Sequence, residues 1–201
     1  KEDSLTIFLN NQEIVTLMCV LDYPNYLAIG YLLNQNMIKT NEKIKSIDFD
    51  EELNVIVIRT NMKTNYEKIL TKKITTSGCA QGTIFGNIYE EIKKTKLASK
   101  NIIKHEWIYE ISKKINLTPS LYLEAGAVHG CVISYKNHPM IYMEDVGRHN
   151  AVDKIAGYMF LNKISGKDKI FYTTGRLTSE MVIKTIKMKV PILISRSGFT
   201  S

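Results

Sequence analysis

Residues Glu144-Asp145-Val146-Gly147-Arg148-His149-Asn150 gather an acid pair, a glycine, an arginine, a histidine and an asparagine into seven consecutive positions. An apolar run at 140–143 precedes them and an amphipathic run at 151–161 follows. The pattern reads as strand, polar turn, helix. Loops at the ends of rigid elements are where binding groups collect. His149 reads either as an acid–base group or as a hydrogen-bonding residue that shapes the turn. Glu144 and Asp145 read as groups that orient Arg148, as acceptors for the N–H groups of a base, or as simple neutralising charges.

The design recurs downstream. The apolar run 169–173 leads into Thr174-Gly175-Arg176-Leu177-Thr178-Ser179-Glu180 and a helix-like stretch to 189, and the run 190–194 leads into Ser195-Arg196-Ser197-Gly198. The chain has four arginines, Arg59, Arg148, Arg176 and Arg196, and three of them fall just past a strand-like run. Short β-α-β spacing implies parallel strands, which would set the three guanidiniums on one sheet edge, where open α/β sheets bind ligands. The planar guanidinium suits phosphate in a way lysine cannot copy. Any one of these arginines could be a solvated surface ion pair; three at equivalent positions point to a shared anionic ligand. Asn150 is expected to cap the helix after it, and Thr178 or Ser179 the next, beside Glu180. Two helix N-termini flanked by arginines suit a pyrophosphate.

Cys79 lies in the Gly-containing loop Ser77-Gly78-Cys79-Ala80-Gln81-Gly82, with Lys72 and Lys73 nearby. An exposed thiol near positive charge can ionise and act as a nucleophile. Cys19 and Cys131 sit in apolar runs and read as packing residues. No Cys-x-x-Cys is present, and His129 is followed by Gly130-Cys131 rather than a zinc-deaminase pattern, so no zinc or other metal site is expected.

The elements that must position these groups fall into two kinds. The first half is α+β. Strands are expected at 5–9, 14–20, 44–49, 53–60 and 66–75, with a helix after Asp22, its N-cap, carrying Pro24 in the first turn. Residues 84–116 look helical with breaks near Ser99 and Asn101, and Pro119 marks a turn. The second half, with a strand at 128–135 and the three strand-loop-helix units, is α/β. The divisions are 1–76 as an α+β domain, 77–120 as a cysteine loop and helical segment, and 121–201 as the α/β ligand-binding domain. The chain opens on Lys1, so its beginning is expected to be trimmed.

The net charge is +7, mostly from scattered lysines that read as solvated helix faces. The tyrosines lie mostly in apolar runs rather than interleaved with basic residues, which argues against nucleic-acid binding. No apolar stretch is long enough for a membrane span, and three cysteines without framework spacing suit a reducing, cytoplasmic setting.

Residues 144–154 resemble the signature of the FdhD family of formate dehydrogenase accessory sulfurtransferases. Gly175-Arg176 with Thr178 and Glu180-Met181 resembles the family's second motif, and 191–197, with Ser195, Arg196 and Ser197, its third. Gly126 with His129 resembles its Thr-Gly-Gly-x-His segment, and 27–33 its first helix. The resemblance implies a cytidine-deaminase-like fold without zinc. It implies transfer of persulfide sulfur from a cysteine desulfurase to the molybdenum bis-guanine-dinucleotide cofactor, for delivery to a molybdenum formate dehydrogenase. Cys79 would carry the sulfur. Gly126, His129, Asp145, Gly147, Arg148, His149, Asn150, Gly175, Arg176, Thr178, Glu180, Ser195, Arg196 and Ser197 would form the cofactor site, and a homodimer fits the family. The chain departs in lacking the second loop cysteine and in reading Ala125-Gly126-Ala127. It also stops soon after the third motif, where the family adds a further helix and strand, so the last domain is expected to be truncated. The alternative reading is a molybdenum-cofactor-binding chaperone without sulfur chemistry.

Overall fold

The computed structural model describes residues 2–61, 73–75, 83–85, 95, 97, 103–118 and 120–199. The chain begins with a hairpin, β1 (Glu2–Leu9) and β2 (Gln12–Val20), turning at Asn10 with φ 55°. Alternate residues Leu5, Ile7 and Leu9 are fully buried, as period-two patterning on a one-sided sheet requires. A second hairpin, β3 (Ile44–Asp50) and β4 (Val55–Thr60), joins it, with β4 parallel to β1. The order is β2-β1-β4-β3. Helix α1 (Pro24–Asn34) opens on Pro24, but Tyr23 takes the N-cap position and supplies no side-chain cap. Asp22 instead reaches Lys154 at 2.5 Å. A buried cation outcompetes a helix N-terminus for that carboxylate.

A short hairpin of β5 (Lys73–Thr75) and β6 (Thr83–Phe85) follows. The strand expected over 66–75 is thus described only at its end. Within the expected helical stretch 84–116, residues 83–85 pair as a strand, and the described helix is α2 (His105–Leu117). Thr83-Ile84-Phe85 is β-branched and aromatic, a composition that favours extended backbone. A single turn and a half, α3 (Leu121–Ala125), is capped by the Ser120 side chain at its start and by Gly126 at φ 64° at its end.

The second sheet contains β7 (His129–Tyr135), β8 (His138–Asp145), β9 (Lys169–Thr173) and β10 (Ile192–Ser195), in the order β10-β9-β7-β8. The three arginine-bearing strands β8, β9 and β10 run in one direction, as expected, but they are not all neighbours. β7 runs antiparallel to both β8 and β9, and only β9 and β10 are parallel neighbours. A two-residue turn makes β7 and β8 a hairpin, which puts β7 between the two strand-turn-helix units. Two antiparallel pairings restore the direction, so β8, β9 and β10 all end at the same edge, where β7 begins. Helix α4 (Arg148–Leu161) follows β8 and α5 (Ser179–Lys187) follows β9. No helix follows β10 among the described residues, which end four residues later at Phe199.

Both faces of this sheet are covered. Cys131, Ile133 and Phe171 pack under α4 and α5, against Val152, Ile155 and Met181. Val132, Ile170 and Tyr172 face Ile111 and Ile115 of α2 on the other side. Helix α1 joins the two halves. A Cβ on Gly30 would lie 1.7 Å from the Asp153 carbonyl oxygen, and one on Gly157 1.9 Å from that of Tyr26. The backbones of α1 and α4 therefore touch where only glycine fits. With α1 on one side and the sheet on the other, α4 buries even Arg148, Asp153 and Lys154. No described helix is long and apolar enough to cross a membrane.

Candidate functional site

Three turns and one strand start converge on the edge where β8, β9 and β10 end. The β8–α4 turn is held from below by Asp145, which is fully buried. Its Oδ1 accepts from Gly147 N (3.2 Å) and Asn150 Nδ2 (3.0 Å). Its Oδ2 accepts from Val20 N (3.2 Å) and lies 2.6 Å from Lys154 Nζ. With four donors satisfied, Asp145 is a support of the turn rather than a ligand group. Asn150 is likewise an anchor: helix α4 begins at Arg148 with Gly147 at its N-cap, and the Asn150 amide donates to Met18 O (2.9 Å) and Asp145. The expected Asn150 cap is therefore not formed. Glu144 does not orient Arg148 either. Its carboxylate accepts from Leu121 N (2.8 Å), Tyr122 N (3.0 Å) and Tyr142 Oη (3.1 Å), fixing the start of α3.

Lys154 completes this foundation. It is fully buried, between Asp22, Asp145 and the carbonyls of Val20 and Glu144, each of the latter at 2.9 Å. Sequence reading passed over it because a lysine inside an amphipathic run looks like a solvated one. The signal available was that Lys154 closes the same run that opens with Glu144-Asp145.

The second turn is built from threonines. Thr173 Oγ1 accepts from Gly175 N (3.0 Å), and Thr174 Oγ1 accepts from Gly130 N (2.9 Å). The third turn is tied to it. Ser195 Oγ donates to Gly175 O (2.8 Å), Ser197 Oγ donates to Thr174 O (2.5 Å), and Arg196 N donates to Thr173 O (3.0 Å). Ser195 and Ser197 therefore shape the edge. The Arg196 guanidinium reaches sideways to Asn116 Oδ1 (3.0 Å) and Tyr122 Oη (3.1 Å), above the Tyr122 ring. Gly126 serves as the αL end of α3 just upstream of His129.

Arg148 differs from the others. Its residue is 7% exposed, and its Nε and Nη2 have no hydrogen-bond partner among the described residues. Two neighbouring polar atoms share this condition, His149 Nδ1 and Thr178 Oγ1. Thr178 occupies the N-cap position of α5 without making a side-chain cap bond. A buried cation left unpaired costs several kcal/mol, on the order of 3–5, which marks this cluster as a candidate ligand site. Gly175 makes room for the Arg148 stem: a Cβ there would stand 3.0 Å from Arg148 Cβ.

The electrostatics are positive. Burial, then the Arg148 and Arg176 charges, lowers the His129 pKa. Burial, then Lys184, Arg148 and His129, lowers that of His149 to about 2. Both imidazoles are neutral near pH 7. His149 Nε2 stands 3.4 Å from the buried Glu180 carboxylate. The α4 and α5 N-termini add their N–H dipoles at the same edge. The structure thus brings together Gly147, Arg148, His149, Gly175, Thr178 and Glu180, with His129 and Arg176 beside them. It leaves Asp145 and Asn150 beneath the site and turns Arg196 toward α2 and α3.

Cys79 falls outside the described residues. Cys19 and Cys131 are buried free thiols, each with its pKa pushed up to about 12, chiefly by burial. No three His, Cys, Asp or Glu side chains gather as a metal set among the described residues.

Fold and site together define an α/β protein of two mixed four-stranded sheets, with a positively charged candidate site at one edge of the second. A model of the FdhD/NarQ family matches residues 1–201, and the chain belongs to that family. The sulfur carrier protein FdhD of Bacillus subtilis (strain 168) is 32% identical over 201 residues, which span 99% of this chain and 76% of that protein. The protein of the same description from Wolinella succinogenes is 27% identical, over 100% of this chain and 70% of its own length. Among solved structures, one described as a formate dehydrogenase accessory protein from Desulfotalea psychrophila superposes with a TM-score of 0.77 at 26% identity. It covers 100% of this chain and 76% of that one.

Proposed function

We propose that this protein is a sulfur carrier required for formate dehydrogenase activity. In this reading Cys79 takes persulfide sulfur from a cysteine desulfurase, and the edge around Arg148 holds the molybdenum bis-guanine-dinucleotide cofactor as cargo. The second sheet with its flanking helices is read as the cytidine-deaminase-like arrangement. The carrying observation is the buried Arg148 guanidinium with two unpartnered N–H-bearing nitrogens beside the free Thr178 hydroxyl. A pyrophosphate supplies acceptors for both, and Arg176 lies near enough to His129 to add its charge. The similarity to sulfur carrier proteins over the whole chain supports the sulfur chemistry.

The chemistry of the other two thiols supports Cys79 as the carrier in this reading. A thiol with its pKa at about 12 is almost wholly protonated at neutral pH, and the thiolate is the nucleophile. Burial therefore makes Cys19 and Cys131 poor nucleophiles, which favours Cys79. Its thiolate would attack the terminal sulfur of the desulfurase persulfide, form a new S–S bond and release the desulfurase thiolate. Oxidation state is conserved in that exchange. The partners in this reading are the desulfurase and a molybdenum formate dehydrogenase, and the setting is cytoplasmic.

Intact-protein mass after incubation with a cysteine desulfurase and cysteine tests the sulfur step. Wild type should gain one sulfur, and Cys79→Ala should gain none. A wild-type protein that stays unmodified would leave the alternative, a cofactor-binding chaperone without sulfur chemistry.

A further inference from the structure

A line of buried charged and polar side chains runs from the first half of the molecule to the site. Asn34 Nδ2 at the end of α1 donates to Asp153 Oδ1 (2.6 Å). Asp153 Oδ2 accepts from Lys184 Nζ at 2.8 Å. Lys184 Nζ lies 3.8 Å from Glu180 Oε1, and Glu180 Oε2 lies 3.4 Å from His149 Nε2. Asn34, Asp153, Lys184 and Glu180 are each under 5% exposed. The line ends at His149 Nδ1, which is buried and has no partner among the described residues.

A neutral imidazole carries one proton, and the group facing each nitrogen decides where it sits. A carboxylate facing Nε2 keeps the proton there and leaves the lone pair on Nδ1. We infer that Glu180, held by Lys184, which Asp153 anchors in turn, is a positioning residue that fixes His149 in the Nε2–H form, so that Nδ1 accepts a hydrogen bond from a donor group on the bound ligand. The inference rests on the proposed cofactor reading for its ligand, whose guanine offers such N–H donors. It also fills a gap left by the turn itself. Glu144 and Asp145, the acids nearest in sequence, have their oxygens taken by protein donors. Arg148 and Thr178 can donate to ligand oxygens. His149 Nδ1 is then the acceptor in a pocket otherwise rich in donors.

Apart from Glu180, the charged and titratable groups that act on His149 agree with a neutral ring. Lys184 from α5, Arg148 from its own helix and His129 from β7 all oppose a positive imidazole, and burial opposes it most. Only Glu180 would favour it, and Lys184 shares that carboxylate.

The test is the tautomer of His149, read by two-bond proton–nitrogen correlation on histidine-labelled full-length protein, with GDP binding measured in parallel. In the free wild type, Nε2 should be protonated and Nδ1 bare across about pH 5 to 8. Glu180→Gln keeps the shape but turns an NH2 toward Nε2 and its carbonyl toward Lys184. The proton should then move to Nδ1, and GDP affinity should fall about tenfold, as expected when a buried donor meets a donor. Lys184→Arg should keep both the tautomer and the affinity, and Lys184→Met should lose the single tautomer. Melting curves confirm that each variant is folded. A wild-type Nδ1–H form, or an unchanged tautomer in folded Glu180→Gln, overturns the positioning role. An unchanged GDP affinity with a switched tautomer overturns the ligand contact. If wild type does not bind GDP, the cofactor reading fails and the ligand contact falls with it, while the tautomer still decides the role of Glu180.

Discussion

The aliphatic stem of Arg148 lies flat against Gly175, so closely that a Cβ on the glycine would stand 3.0 Å from Arg148 Cβ and 3.3 Å from Cδ. The two residues belong to different strand-turn-helix units and are 27 positions apart in the chain. The glycine of one turn thus sets where the guanidinium of the other can point. Gly175→Ala should displace Arg148 by a few tenths of an ångström and weaken GDP binding about threefold to tenfold. Folding stability should fall by about 1 kcal/mol, the low end of the cost of overpacking a buried site whose neighbour can shift. Calorimetric titration and urea unfolding on the same preparation separate the two effects.

Beneath the turn, Lys154 neutralises Asp145 and Asp22 while tying β2 to β8 and α4. Lys154→Met removes the cation and leaves Asp145 buried with its negative charge uncompensated. The expected loss is about 3–5 kcal/mol, seen as a lower urea midpoint. Replacing Asp145 by Asn in the same background should recover part of it, because the stranded charge is removed.

The foundation shows why some of the site was legible in sequence and some was not. That the turns carrying Arg148, Arg176 and Arg196 share one edge follows from strand-turn-helix spacing, and it survives although β7 runs against its neighbours; the Arg196 guanidinium itself turns aside to Asn116 and Tyr122. Directions add up through β7 whether or not the strands that carry the arginines touch. Asn150 forms no cap because, besides Asp145, its amide is drawn to Met18 O, 132 residues away, a partner no local pattern shows. The same holds for Asp22, drawn from the start of α1 to Lys154. Buried lysines cannot be told from solvated ones along one helix; the closed packing of α4 between α1 and the sheet decides it.

The approach of α1 and α4 is fixed by two glycines. A methyl group on Gly157 would overlap the Tyr26 carbonyl oxygen, at 1.9 Å, so the helices must separate. Gly157→Ala should cost at least about 1–3 kcal/mol, the range for overpacking a dense core. Because Asn34 reaches Asp153 across the same contact, thermal melting should fall while α5 and the second sheet lose hydrogen-exchange protection at this interface first.

Stability should also depend on pH through His149. Its folded pKa is lowered from 6.5 to about 2, so the unfolded chain binds a proton more readily. The contribution is whole above about pH 6.5 and shrinks as pH falls toward the folded value, with a limiting slope of about 1.4 kcal/mol per pH unit. His129 shifts in the same direction and adds to the trend. Urea midpoints measured downward from pH 7.5 should fall, and His149→Asn should flatten the curve. A midpoint that rises on mild acidification would contradict the sign.

The anion edge is the part of the account that the geometry carries most directly, and GDP titration against wild type and Arg148→Met tests it. Methionine keeps the stem that packs on Gly175 and removes the guanidinium. Wild type should bind GDP more tightly than guanosine, and Arg148→Met should remain folded, bind at least about tenfold more weakly and no longer distinguish the two. Equal affinity of wild type for GDP and guanosine, or an unchanged affinity in Arg148→Met, would contradict an anion site at this sheet edge.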